Sequence, residues 1–388
     1  MNLLLLVEGD AELISAAGSG SAHAVLDHLR RQGHQVATSD VDLKGAMRAL
    51  AAGVTFSPTR KRWSVKYHLG AVPFRLRSRN ADGAVRQRMP TLDAIIQYGA
   101  TFSARAAGAP YFLYCDSNVH ISRDDPHAWA AQLGPAEVDA AVAREQTVYD
   151  GAAGIFTFSD RVRESFVGDL RIPGDRVETV YAGPNFDPSS IPAISSQGSR
   201  APNILFVGRE FQRKGGDVLL AAFTQVRHEI PDATLTIIGP RDLTLSVPGV
   251  EVLGFLRKDD PAEYKQLLDA YARARTFAFP TRFEPFGVVL LEAMFFGLPC
   301  VATNVWAIPE IVRHGETGFI CEPDDANGLA QHLVRLLRDP DLAFTMGRAG
   351  RARAETHFTW AAVTAKMTER IARVIGHNRR RTDVAETR

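Results

Sequence analysis

The chain alternates short apolar runs with longer stretches of helical spacing. Residues 3–7 (LLLLV) read as a buried strand. A small-residue loop follows at 16–21 (AAGSGS), then a helical pattern at 22–32 stopped by Gly33, then a strand at 35–39. Another apolar run at 111–115 ends at Asp116. A long helical pattern covers 135–151, with a strand at 154–158 and a helix from about Asp160. Strands alternating with helices imply βαβ units and a parallel sheet.

Periodicity stops at 184–202, a stretch rich in Pro and Ser that reads as an interdomain linker. The same grammar then restarts. Strands are expected at 203–207, 234–238, 250–253, 276–280 and 300–303. Helices are expected at 217–229, 261–274, 287–296, 327–337 and 342–356, and a last one at 360–375. The pattern predicts an α/β protein with two doubly wound domains facing each other. In such sheets ligands bind outside the carboxyl ends of the strands.

Length agrees, since 388 residues are long for one core. A net charge of +1 gives no global argument for nucleic acid. Cys115, Cys300 and Cys321 lie far apart in or beside apolar runs, which fits buried thiols rather than a disulfide frame or a zinc site. The opening run is too short for a signal peptide and lacks a basic flank, and no apolar stretch is long enough to span a bilayer. The expected location is cytoplasmic, with peripheral contact at the inner face of the membrane as an option.

Two glutamates stand out in an apolar setting, Glu284 and Glu292 in FEPFGVVLLEAMFFG. Glu284 falls in the turn after a strand. Gly287 and Val288 open a helix whose free N–H groups and dipole suit a phosphate. Earlier, FVGREFQRKGG carries Arg209, Arg213 and Lys214 between a strand and a helix. Arg209 can fork onto phosphate oxygens, and Lys214 can act as a point charge. Carboxylates flanking a phosphate site suit a molecule with hydroxyls on both sides of a diphosphate, such as a nucleotide sugar.

Over residues 206–323 the chain resembles the retaining glycosyltransferases of family 4 (group 1) with the GT-B fold. The resemblance rests on Gly208-Arg209 with Lys214-Gly215, Glu284 to Glu292 with Phe286-Gly287 inside, Pro309-Glu310-Ile311-Val312 and Gly318-Phe319. Gly254-Phe255-Leu256 is similar to the family's base-contacting segment. Weaker similarity covers 18–36 and 177–187.

The resemblance implies two Rossmann-like domains facing across a cleft: an acceptor domain at 1–190, a nucleotide-sugar domain at 200–357, and a helix at 358–388 returning to the first. It implies that Arg209 and Lys214 stabilise the departing nucleoside diphosphate and that Glu284 contacts the donor sugar. Glu292 would hold the ribose, and Gly18 and Gly20 would lie in a loop over the phosphates. Gly208, Leu256, Phe286, Gly287 and Val288 would complete the donor site. No metal or cofactor is expected; the donor is a UDP-, GDP- or ADP-sugar and the acceptor a hydroxyl, with acidic and lipid-linked acceptors among the options. An epimerase, a phosphorylase or a non-catalytic partner subunit on the same fold remain alternatives.

Asp40-Val41-Asp42 spells a metal-binding pattern but reads as a solvated turn. Asp116 is a candidate contact, with His120 slightly late for the family's histidine. Trp306-Ala307 replaces the family's usual Gly-Gly, either narrowing the donor pocket or simply packing. Finally, residues 57–90 carry nine Lys and Arg against Asp82 alone, with Trp63, Tyr67 and Phe74 interleaved. That segment is expected to dock an anionic membrane or an acidic acceptor, or to be a solvated loop; nucleic acid is the least favoured partner.

Overall fold

A computed structural model describes residues 1–13, 20–104, 108–188, 191 and 200–386, with side chains up to residue 377. The chain divides into two compact units, Met1–Ala182 with Trp360–Arg388, and Gly183–Thr359.

The first unit holds β1 (Asn2–Val7), α1 (Ser21–Arg31), β2 (Gln35–Asp40), α2 (Gly45–Val54), α3 (Arg60–Leu69), α4 (Ala71–Arg86), β3 (Ala94–Tyr98) and β4 (Tyr111–Cys115). After them come α5 (Val119–Ser122), α6 (Pro135–Gly151), β5 (Gly154–Thr157), α7 (Asp160–Glu164) and β6 (Val177–Thr179). Its sheet has the order β2-β1-β3-β4-β5-β6, all pairs parallel. The central strands are buried on both faces, which is why LLLLV and YFLYC are continuous apolar runs rather than alternating ones.

The second unit holds β7 (Asn203–Val207), α8 (Gly216–Glu229), β8 (Thr234–Ile238), β9 (Val250–Gly254), α9 (Pro261–Arg273), β10 (Thr276–Phe279) and α10 (Val288–Phe295). It continues with β11 (Cys300–Thr303), α11 (Ile308–Ile311), β12 (Gly318–Cys321), α12 (Ala326–Arg338) and α13 (Pro340–His357). Its parallel sheet has the order β12-β11-β10-β7-β8-β9. The terminal helix α14 (Trp360–Glu386) belongs to the first unit, where Gln32 Nε2 donates to Thr364 Oγ1 at 2.8 Å.

Two expectations change. Residues 184–188 are not a bare linker, because Phe186 sets its ring against Phe295 and Phe296 of the second unit. Residues 57–90 are not a solvated loop, because they form all of α3 and all of α4. Strands β3 and β6 and helix α2 were not anticipated at all.

Candidate functional site

Each sheet reverses its strand order at one place. In the second unit this is between β7 and β10, and in the first between β1 and β3. Such a reversal opens a crevice at the carboxyl edge, because the flanking loops depart toward opposite faces.

At the second unit's crevice, the loops after β7 and β10 feed α8 and α10. Each helix starts on a left-handed glycine, Gly215 (φ 72°) and Gly287 (φ 103°), and neither has a side-chain cap. At α10 the first amides therefore lack the Ser, Thr or Asp oxygen that usually occupies them, whereas at α8 the Gly216 amide donates to the Phe211 carbonyl at 2.8 Å and the Asp217 carboxylate takes its own amide and that of Val218. A Cβ at Gly215 would lie 1.8 Å from the Pro280 carbonyl oxygen, so the two loops meet only because that residue has no side chain.

Lys214 and Glu284 join across this crevice in an ion pair, both side chains largely buried. The Lys214 ammonium also lies 5.1 Å from the centre of the Phe279 ring. Gly208 closes on the same lysine: a Cβ there would be 3.0 Å from Lys214 Cγ. Thus Gly208, Lys214, Glu284 and Gly287, predicted separately, stand at one point, with Val288 half-buried behind Gly287.

Arg213, the other cation of this loop, has a different task. It grips Glu210 through two bonds of 2.9 and 2.7 Å and the Phe283 carbonyl at 2.7 Å. Arg282 is a second clamp. Its guanidinium holds Asp217 at 2.9 and 2.8 Å, Asp324 at 2.7 Å, and the Gln212 carbonyl. The hydrogen bonds from Arg282 keep the Asp217 carboxyl below its ordinary range, against a smaller opposing effect of burial.

Arg209 lies against a different ring from Lys214. It is exposed, with its guanidinium 5.0 Å from the Phe255 ring centre, and Arg241 lies 4.7 Å from the same ring. Leu256 follows, half-exposed. Arg241 was missed. Its only sequence signal is its place just after a strand, in Gly239-Pro240-Arg241.

Glu292 is buried, 2% exposed. Its Oε1 accepts from Lys258 Nζ at 2.7 Å and its Oε2 from Tyr271 OH at 2.9 Å. Lys258 also reaches the Asn185 carbonyl at 3.2 Å. Lys258 and Tyr271 were likewise missed, since they lie 34 and 21 residues away along the chain. Phe286 was expected at the donor, but its side chain is buried, 6.3 Å from Phe358 between ring centres. Only its backbone can face a ligand. Trp306 takes a left-handed backbone (φ 49°), which a glycine would adopt more easily, and its ring packs edge-on against Phe283 at 4.8 Å. Packing accounts for it.

The first unit's crevice carries different chemistry. Glu8, just after β1, is bonded by Thr101 beyond β3, faces His68 Nδ1 at 3.5 Å and pairs with Arg77 Nε at 2.9 Å. Burial alone would raise the Glu8 carboxyl; the hydrogen bonds from His68 and Thr101 and the Arg77 charge together bring it below the ordinary range. Arg77 is fully buried and lies over the Tyr67 ring at 5.0 Å. Asp40 and Asp42 are not a solvated turn. Asp40 Oδ1 accepts from the amides of Gly9 and Asp42, at 2.9 and 2.8 Å, and Asp42 Oδ1 lies 3.7 Å from Arg77.

Gly20 caps α1 with φ 94°, and Ser21 bonds Tyr98 at the end of β3. Gly18 lies outside the described residues. Asp116 stands exposed at the end of β4, and His120 faces Asp169 at 3.8 Å. Under the loop after β4, Glu145 is fully buried and accepts from the Val119 amide at 2.8 Å; burial pushes its carboxyl up to about 7.

The basic segment is divided by the fold. Arg62 binds Glu137 and the Gln132 carbonyl, Lys66 faces Glu137, Arg77 is buried and Arg88 bonds backbone carbonyls. Arg75, Arg79 and Arg86 line a groove of about 570 Å³ along α4. No helix among the described residues is long and apolar enough to cross a membrane.

The comparisons with known proteins agree with this geometry. Residues 201–339 match the family model described as glycosyl transferases group 1. A glycogen synthase of Mycobacterium tuberculosis is 35% identical over 164 residues, 41% of this chain and 40% of that protein. A GDP-mannose-dependent monoacylated alpha-(1-6)-phosphatidylinositol monomannoside mannosyltransferase of Corynebacterium glutamicum is 34% identical over 176 residues, 43% of this chain and 46% of that protein. The chain thus spans less than half the length of these relatives. Among solved structures, a sucrose-phosphate synthase from Thermosynechococcus elongatus superposes with a TM-score of 0.70 at 20% identity, covering 97% of this chain and 100% of that one. An Anabaena protein solved in complex with UDP and glucose gives 0.63 at 18% identity, over 96% and 99%. The chain has the GT-B fold, and its residues 201–339 are similar to the glycosyl transferases of group 1.

Proposed function

We propose that the protein is a retaining, metal-independent glycosyltransferase, moving a sugar from a nucleoside diphosphate to a hydroxyl acceptor. The observation that carries this is the Lys214–Glu284 pair set between two uncapped helix starts at the strand-order reversal. The uncapped amides of α10 and the Lys214 ammonium form an anion site without a bound cation. Glu284, beside it, is placed to accept bonds from sugar hydroxyls and to favour positive charge developing at the anomeric carbon.

In this reading the bond from the anomeric carbon to the diphosphate oxygen breaks, and its electron pair stays on phosphate. The acceptor oxygen bonds to the same face of the carbon. Its proton passes to the departing phosphate oxygen. Lys214 and Arg209 then act by stabilising the leaving diphosphate, while Glu292 holds the ribose in a position fixed by Lys258 and Tyr271. The first unit takes the acceptor.

The test is thermal unfolding of the wild type and of Lys214→Ala with UDP, GDP, ADP, CMP or inorganic phosphate. A ligand at ~100 times its Kd adds ~2.7 kcal/mol of stability. One nucleoside diphosphate should stabilise the wild type and stabilise the variant less. If none does, or both proteins respond alike, the diphosphate site is not where it is placed here.

A further inference from the structure

Helix α2 leaves an aliphatic stripe uncovered. Met47, Leu50 and Val54 fall at i, i+3 and i+7, within about 60° of arc at the helical 100° per residue. They are 38%, 55% and 55% exposed, and Phe56 just beyond is 62% exposed. Ala51 is the one buried residue of the helix. Large aliphatic side chains grouped on a surface, and ringed by polar ones, mark a contact site more often than isolated ones do.

The charges around the stripe say what it contacts. From residue 43 to residue 81 there is no Asp or Glu. Arg48, Arg60 and Lys61 are exposed and have no ion pair among the described residues, whereas Lys44 at the start of the helix is paired with Asp40 at 2.9 Å. The platform is also held in shape. Trp63 Nε1 donates to the Ala52 carbonyl at 2.9 Å, Phe56 stacks edge-on to Trp63 at 5.5 Å, and Arg62 ties α3 to Glu137 at 2.6 Å.

We propose that the α2 stripe with Phe56 is a membrane-docking surface, entering the headgroup boundary of an anionic bilayer while Arg48, Arg60 and Lys61 contact lipid phosphates. Aliphatic side chains gain by leaving water for acyl chains, and the surrounding cations gain from a negative surface; an amphipathic helix lying in the interface satisfies both. Nucleic acid offers the cations phosphate but the aliphatic stripe nothing. The inference goes beyond the transfer reaction and does not depend on it. It shifts the centre of the membrane contact from residues 57–90 as a whole to the helix before α3, keeping only Arg60 and Lys61 of that segment. That helix begins just past β2, at the sheet edge where ligands of this fold bind, so a lipid-borne hydroxyl would arrive beside that edge.

The test is co-sedimentation of the whole protein with phosphatidylcholine vesicles and with mixed phosphatidylcholine–phosphatidylglycerol vesicles. The wild type should partition at least about tenfold better into the anionic vesicles, less so at high salt. L50E/F56S should lose at least about tenfold, whereas R60A/K61A should lose about fivefold per cation. Tryptophan emission from Leu50→Trp should move to shorter wavelength only with anionic vesicles. Unchanged thermal unfolding of each variant separates lost docking from lost folding. Equal binding to both vesicles, full binding by L50E/F56S, or no emission shift overturns the proposal. So does a self-associated protein that L50E/F56S returns to monomer without any vesicle binding.

Discussion

The two strand-order reversals share a topology and differ in charge. At the second, the loops are glycine-rich and two helix starts are left without side-chain caps, with a lysine between them. At the first, the backbone is already served by carboxylates: Asp40 takes the amides of Gly9 and Asp42, and Glu8 is locked to Arg77 and Thr101. One edge offers a phosphate the bare start of α10 and a lysine that, among the described residues, shares its charge with Glu284 alone. The other is internally neutralised and can present hydroxyl-binding groups such as Asp42 and His68 at its surface. The fold supplies the place, and the loop chemistry decides which kind of molecule can use it.

The comparison breaks most visibly at Lys214. Lys214→Ala removes the cation and leaves Glu284 unpaired between the helix starts. Transfer should fall about 10²–10³-fold, as when a donor to a developing anion is lost. Steady-state kinetics with the donor identified by thermal shift would check this, and a loss under tenfold would remove Lys214 from the reaction. The matching change in the first unit is Arg77→Met. Here the expected damage is to folding, about 3 kcal/mol, because Glu8 would be left buried without its counter-charge. Urea unfolding measures it; an unchanged midpoint would show that the cluster is not structural.

Glu145→Gln sharpens the contrast by pH. Glu145 rises from an ordinary 4.5 to about 7, so the folded protein holds its proton more tightly than the unfolded chain does. Its share of stability is therefore intact below pH 4.5 and lost as pH rises through 7, a total of about 3 kcal/mol. The glutamine variant should lack that decline, so its advantage over the wild type should appear between pH 5 and pH 8. Parallel stability curves for the two proteins would contradict the assignment. The smallest effect is expected for Gly287→Ala. A left-handed alanine costs about 1–2 kcal/mol, and its Cβ would meet Leu290 at 3.1 Å. Thermal unfolding should show a modest drop, and nucleoside diphosphate affinity should fall with it as the first turn of α10 shifts.

These two edges were not equally legible. The second is written in contiguous motifs, because a loop that must approach a phosphate needs glycine and cations within a few residues. Gly208, Lys214, Glu284 and Gly287 could therefore be read directly. Lys258 and Tyr271 could not, since what makes them matter is a contact with Glu292 across tens of residues. In the first unit, RKRWSVKYHL shows no clean apolar stripe, and α3 is held by Arg62 on Glu137 and Trp63 on the Ala52 carbonyl. Strand β3 (AIIQY) has its apolar run broken by Gln97 and gave too short a run to distinguish. Arg77 illustrates the limit: in sequence it is one of nine basic residues, and only packing separates it from its neighbours.

Arg282 carries a last consequence. It binds the start of α8 through Asp217, the preceding loop through Gln212, and the end of the sheet through Asp324. Segments more than sixty residues apart are thereby made into one cooperative piece. Amides around 212–217 cannot exchange with solvent by local fraying alone; they open when the loop after β10 opens too. The proposed anion site is thus rigid or absent as a whole, and a ligand that orders one of its loops would order the other at little further entropic cost.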